Sequence, residues 1–275
     1  MPRNTPAKPH TPVQLRREEE GTGTPMLLLH GLTATRRYVL QGSRLLSRSG
    51  YRVISYDARG HGESCPAPDP AAYEYRDLVA DLIGVLDELD LQRPVLAGSS
   101  MGAATALALA LQQPERVAAL VQITPAYDGA PRTDPADLEE WEALAGAMDA
   151  ADLDAFVELS GVNRLPEQFR DVARRAVRQR LERHEHPQAV ADALRVVPGS
   201  AAFDGLDGLD ELDIPVLVVG SRDETDPGHP LRVAEEYARR LPRAKLVVED
   251  EGESPLAWRG AQLSREIAEF LSAYS

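Results

Sequence analysis

Residues Pro94 to Leu111 read PVLAGSSMGAATALALAL, and this stretch decides the fold. Val95-Leu96-Ala97 is a short apolar run with the character of a buried strand. Gly98-Ser99-Ser100-Met101-Gly102 follows, and then an alanine- and leucine-rich run suited to a helix. A serine held between two glycines at a strand-to-helix turn has the pattern of a nucleophile elbow. The turn forces the serine into a strained backbone conformation, and the flanking glycines let strand and helix approach each other. The Ser100 hydroxyl would then stand clear of the sheet edge, before a helix N-terminus that stabilises negative charge. A Gly/Ser turn without chemistry would carry the same letters, so the surrounding chain has to decide.

Working outward, strands and helices alternate on both sides of the elbow. Upstream, Val13 to Glu20 reads as an edge strand and Met26 to Leu29 as a central one, followed by His30-Gly31-Leu32. Thr33 to Ser49 has helical spacing through Tyr38, Leu40, Leu45 and Leu46, with Gly50 as a stop. Val53 to Tyr56 is the next strand, Asp57 to Gly62 a tight loop, and Tyr75 to Leu89 an amphipathic helix. Downstream, Val117 to Ile123 is a strand, and there the alternation stops. Residues 126–212 show only helical patterns, over Asp134 to Met148, Pro166 to His184 and Pro187 to Val197. Alternation resumes with strands at Pro215 to Gly220 and Leu246 to Glu249, and helices at Pro230 to Leu241 and Gln262 to Tyr274.

Repeated strand–helix units imply an α/β fold, a mostly parallel, doubly wound sheet with helices on both faces. Ligands then bind beyond the C-terminal ends of the strands. The expected organisation is a flexible tail over residues 1–12, a core over 13–125 and 213–275, and a helical cap over 126–212 lying above the serine.

Bulk properties narrow the partners. The chain has 275 residues, with 30 Lys and Arg against 44 Asp and Glu, a net charge of −14. That balance disfavours nucleic acid and anionic membrane surfaces. No apolar run approaches a membrane span, and MPRNTPAKPHTP at the N-terminus lacks the apolar segment of a secretory signal. The one cysteine, Cys65, excludes an intrachain disulfide and suits a reducing cytoplasm. Neither a G-x-G-x-x-G fingerprint nor a phosphate-binding loop is present, so no cofactor is expected. His184 and His186 stand two apart, which does not place them on one helix face, and no metal site is expected either. A small-molecule substrate and a monomer or homodimer complete these expectations.

Four segments in this order resemble the α/β-hydrolase fold superfamily of the capped, single-domain serine hydrolase type. They are His30-Gly31-Leu32, Asp57-Ala58-Arg59-Gly60-His61-Gly62-Glu63-Ser64, the Gly98–Gly102 elbow and Gly220-Ser221-Arg222-Asp223. The resemblance implies Ser100 as nucleophile, the Leu32 and Met101 amides as oxyanion donors, and Asp223 as the acid of a triad. It gives His30 and the Asp57–Ser64 loop structural roles.

The chain departs from that pattern at the base. The superfamily's histidine lies in the loop after the last strand, where this chain reads Glu249-Asp250-Glu251-Gly252-Glu253-Ser254-Pro255. Glu253 occupies the histidine position, and no histidine follows His229. A serine without a base is a poor nucleophile at neutral pH. Three readings stay open. His229 is recruited from the acid loop, with Glu253 or Asp223 orienting it, since triads recur in different chain orders. Alternatively His184 or His186, in what reads as a solvated helix end, supplies the base. In the third reading the triad is degenerate and the protein binds a ligand without hydrolysing it. Glu253, with a raised pKa under a cap, is a further candidate base. The expected reaction is hydrolysis of a carboxylic ester, thioester or lactone of a small to medium apolar acyl group. Specificity would come from the cap, through Trp141 and Phe156 unless both are core.

Overall fold

The computed structural model describes residues 10–222, 226, 228–250 and 258–274. Seven strands form one sheet: β1 (Arg17–Glu20), β2 (Thr24–Leu29), β3 (Tyr51–Tyr56), β4 (Val95–Ser99), β5 (Ala119–Ile123), β6 (Val216–Gly220) and β7 (Ala244–Val248). Their spatial order is β1-β3-β2-β4-β5-β6-β7, parallel throughout except for β1, which pairs antiparallel with β3. The expected doubly wound α/β sheet is therefore what forms, with the elbow strand β4 near its centre. Four helices outside the β5–β6 connection flank it: α1 (Tyr75–Glu88), α2 (Met101–Gln112), α7 (Leu231–Arg240) and α8 (Gly260–Ser272).

The faces divide by strand parity. Leu27 and Leu29 of β2 pack with α1, α2 and α7, whereas Met26 and Leu28 pack with Trp258, Leu263 and Ile267 around α8. Because both faces are covered, the central strands read as continuous apolar runs rather than alternating ones.

The stretch from Thr33 to Ser49 corrects one expectation. It forms no α-helix, only two short 3-10 turns at Arg36–Tyr38 and Leu46–Arg48. Gln41 (φ 47°) and Gly42 (φ 77°) interrupt it with left-handed backbone, which ends a helix whatever the spacing of its leucines.

Between β5 and β6 the chain is helical: α3 (Pro135–Asp149), α4 (Leu153–Leu159), α5 (Glu167–Leu181) and α6 (Pro187–Val196). Asp134 and Asp152 cap α3 and α4 by accepting from Ala136 N–H and Ala155 N–H, each at 2.9 Å. The segment has its own apolar cluster around Met148, Phe156, Leu181 and Leu194. Phe156 is buried within it and Trp141 packs against it.

Buried polar groups fix the loops at the C-terminal ends of β2 and β3. Asp57 accepts from Arg36 N–H at 2.7 Å and Glu63 N–H at 3.0 Å, and its carboxylate pairs with the Arg36 guanidinium. His30 donates from Nδ1 to Gly31 O at 2.8 Å and accepts at Nε2 from Ala58 N–H at 2.9 Å. The His61 ring lies 2.8 Å from Arg59 O and 2.6 Å from Leu32 O. His184 does not sit on a solvated helix end, as its acidic and basic neighbours suggested. It accepts from Gly62 N–H at 2.9 Å and donates to Thr33 O at 3.2 Å, while Glu185 N–H donates to Gly62 O at 2.9 Å. His30, His61 and His184 lie in a row, with ring centroids 5.2 and 5.7 Å apart. Among the described residues no helix is long and apolar enough to cross a membrane.

Two outcomes are expected. A Cβ at Gly98 would overlap the Gly102 carbonyl and the Ala103 nitrogen, so Gly98→Ala should destabilise the protein by about 3 kcal/mol or more in denaturant unfolding. Burial, together with the charge of His61, pushes His30 and His184 from the ordinary 6.5 down to about 3. The unfolded chain then binds more protons than the folded one between those values, so stability falls as pH drops below 6.5. For His30 that loss is on the order of 2 kcal/mol at pH 5. Thermal unfolding from pH 7 to 4 should show the decline, with a shallower slope in His184→Gln.

Candidate active site

Ser100 follows β4 and caps α2 with φ 51° and ψ −110°, a left-handed conformation that costs a non-glycine residue on the order of 1–3 kcal/mol. Its backbone is held on both sides: Ser100 N–H donates to Ile123 O at 3.1 Å, and Ser100 O accepts from Ala104 N–H at 3.0 Å. Among the described residues the half-buried Oγ has no hydrogen-bond partner. Packing explains how the strain persists. Cβ atoms at Gly98 and Gly102 would run into Gly102 O and Leu29 O respectively, so only glycine admits this approach of helix to strands.

The two amides expected as oxyanion donors lie beside Ser100. Met101 N–H opens α2, where no intrahelical acceptor exists. The Gly31-Leu32 loop comes close from β2, so that a Cβ on Gly31 would lie 3.5 Å from the Ser100 Cβ. The carbonyls of Leu32 and Thr33 are engaged by His61 and His184, and Leu32 N–H has no protein acceptor among the described residues. A serine hydroxyl, a helix N-terminus and two amides without acceptors among the described residues, gathered at the ends of β2 and β4, suit a developing oxyanion.

His229 lies in the loop after β6. Its Nδ1 is 2.8 Å from Asp226 Oδ1, and its backbone N–H donates to Asp226 O at 3.1 Å. Burial and the Arg180 guanidinium work to lower its pKa, but the charge and hydrogen bond of Asp226 outweigh them and raise it above 6.5. The ring is thus paired with a carboxylate, as a triad histidine is, but the partner is Asp226. Sequence reasoning named Asp223 and Glu253 and missed Asp226. The signal was in the letters Asp226-Pro227-Gly228-His229, since a Pro-Gly pair favours a turn that brings residues three apart together. Asp223 and Glu253 lie outside the described residues. No hydrogen bond joins His229 to Ser100. His184 is occupied at both ring nitrogens, and no bond links it to Ser100.

Two cavities lie near these loops. One, of about 260 Å³, is a polar cleft between Thr35–Arg37, Gly62–Glu63 and Glu182–Glu185. The other, of about 10 Å³ between Leu29, His30, Met101 and Thr105, has room for a single water at most. Neither is lined by Ser100.

Known proteins share this architecture. A family model described as alpha/beta hydrolase fold matches residues 24–259. A putative non-heme haloperoxidase of Mycobacterium phage D29 is 38% identical over 101 residues, 37% of this chain and 36% of that protein. An sn-1-specific diacylglycerol lipase of Danio rerio is 33% identical over 165 residues, 59% of this chain and 50% of its own length. The chain thus spans between a third and a half of the length of the curated relatives it matches. Among solved structures, an esterase from Thermogutta terrifontis, with malate bound, superposes with a TM-score of 0.76 at 27% identity, covering 95% of this chain and 93% of that one. The enol-lactonase of Burkholderia xenovorans LB400 reaches 0.72 at 20% identity, covering 95% of each chain, a likeness of fold. With its sheet, its elbow and a family model that runs almost its whole length, the chain belongs to the alpha/beta hydrolase fold family.

Proposed function

We propose that this protein hydrolyses a carboxylic ester, thioester or lactone of a small to medium acyl group through an acyl-enzyme on Ser100. The observation that carries the reading is the strained backbone of Ser100, held at φ 51° beside two unengaged amides. Such strain persists only where the surroundings over-determine it, and it serves to present a hydroxyl. Epoxide opening on this fold uses a carboxylate nucleophile, and the elbow here carries serine.

In this mechanism Ser100 Oγ attacks the acyl carbonyl while His229 takes its proton. The oxyanion forms against Met101 N–H and Leu32 N–H, the imidazolium returns the proton to the leaving alcohol or thiol, and water repeats the cycle. Asp226 holds the His229 tautomer and stabilises its charged form, at 2.8 Å. Acid and base would then come from one loop. Asp223 and Glu253 remain second carboxylates for orienting the ring, and Glu253 a substitute base. Residues 126–212 serve as the cap. Leu32 packs against the apolar cluster of this segment, an apolar surface next to the oxyanion site that suits an acyl chain. Trp141 and Phe156 belong to the cap's own core and support it from behind.

A second reading, a non-hydrolytic binding protein of the same fold, is favoured by the missing Ser100–His229 bond. The two separate cleanly. A fluorophosphonate probe should label Ser100 and fail on Ser100→Ala; a folded wild-type protein that resists labelling would sink the nucleophile. His229→Ala should lower kcat against a short-chain aryl ester by about 10³-fold or more. Loss of turnover in Glu253→Gln with His229→Ala active would move the base to the carboxylate.

The pH profile tests the pair independently. A general base works deprotonated, so activity falls as pH drops through its pKa. With that pKa raised, the acid limb of kcat/KM should lie above pH 6.5. Asp226→Asn should move the limb to lower pH.

A further inference from the structure

Among the half-buried arginines of α5, Arg180 is set apart by making no ion pair or hydrogen bond with the described residues, whereas Arg170 donates to Leu165 O. Arg174 pairs with Glu158, and Arg178 pairs with Asp154 and Glu182. These salt bridges face solvent. Ala173 and Leu181, with the partly buried Val177 between them, form the apolar stripe of the helix at a spacing of four, and Arg180 lies beside it. Its side chain is half-buried, its Nε is enclosed without a hydrogen-bond partner, and among the described residues no carboxylate reaches its guanidinium at ion-pair distance. This happens in a chain with 44 acidic residues. Holding a guanidinium partly out of water without a direct ion pair is costly, and the cost is normally met by a partner.

Three anchors fix where this guanidinium stands. Leu181, the next residue, shares an apolar cluster with Leu32, whose amide flanks Ser100. The carbonyl of Gln179, the preceding residue, accepts from Tyr38 O–H at 3.2 Å, tying this end of α5 to the loop after β2. On the far side the guanidinium acts electrostatically on His229 and Asp226, in the loop after β6. The strands β2 and β6 are separated by β4 and β5. The loops after β2 and β6 thus flank the ends of β4 and β5, the side of the sheet on which Ser100 stands, and this end of α5 is tied to the first of them.

We propose that Arg180 is a specificity-determining residue that binds a carboxylate on the substrate, so that the preferred acyl chain is apolar along its length and ends in an anionic group. This inference rests on the hydrolase reading above for the position of the scissile bond, and on the geometry of α5 for the anion. The substrate then supplies the direct ion pair that no described carboxylate makes. Arg suits the task because its planar fork matches a carboxylate bidentately. Asp226 is committed to His229 and leaves the guanidinium free for the ligand.

Two esters of equal chain length test it: 4-nitrophenyl hexanoate and the 4-nitrophenyl monoester of adipic acid. The wild type should favour the adipate ester in kcat/KM. In Arg180→Gln that preference should fall by about 30-fold, chiefly through KM, with part of it kept in Arg180→Lys. Without ligand, Arg180→Gln should melt no lower than the wild type, because it removes a half-buried charge that makes no direct ion pair. An unchanged preference, or a melting temperature several degrees lower with the preference intact, overturns the proposal and makes Arg180 structural. If neither ester turns over, the hydrolase reading has failed, and calorimetry with adipate itself decides the anion site. Binding weakened by about 30-fold in Arg180→Gln sustains it; no binding to the wild type overturns it.

Discussion

No side chain fits between β4, the first turn of α2 and the end of β2, and the site depends on that exclusion. Gly98 and Gly102 let the helix start against the strand backbones, and Ser100 is left at φ 51° because its neighbours on both sides are already fixed. The free energy that holds the strained turn comes from burial elsewhere: α2 is apolar all round, with ten of its residues from Met101 to Ala110 buried. A helix of that kind has no solvent face on which to slide, so its N-terminus cannot drift from the serine.

A second layer of constraint is polar. Asp57, Arg36 and the row of three histidines convert loops that would otherwise be mobile into a fixed wall beside the elbow. Ring nitrogens take up the carbonyls of Leu32 and Thr33, and among the described residues the Leu32 and Met101 amides have no acceptor. Both nitrogens of His61 face carbonyl oxygens, and a neutral ring donates to only one of them. Low dielectric makes such networks strong when satisfied and expensive when broken. The helical segment joins this wall at Gly62, through His184 and Glu185.

Sequence legibility followed the range of the interactions involved. The elbow, the strand order of events along the chain and the helical run after β5 are written in local patterns, and they could be read directly. The failed helix over Thr33–Ser49 had the right apolar spacing but a left-handed backbone at Gln41 and Gly42, which spacing does not report. His184 looked solvated because its neighbours are charged, and its burial is set by Gly62 and Thr33, more than a hundred residues away. Asp226 went unnoticed among Asp223, Glu224 and Glu253 because a run rich in carboxylates does not announce which one turns inward. The cation at Arg180 was hidden in the same way, as one arginine among several on α5.

The elbow is made of main chain: two hydrogens where side chains would be, one peptide conformation and a set of amide donors. Side chains supply the rest. Features written in backbone survive substitutions that spare Gly98 and Gly102 and leave the core volume intact, whereas features written in side chains change with single residues. Solved relatives at 20–27% identity therefore keep the sheet with TM-scores of 0.72 to 0.76. The stage is shared with these structures, and what can happen on it is left to the side chains set around it.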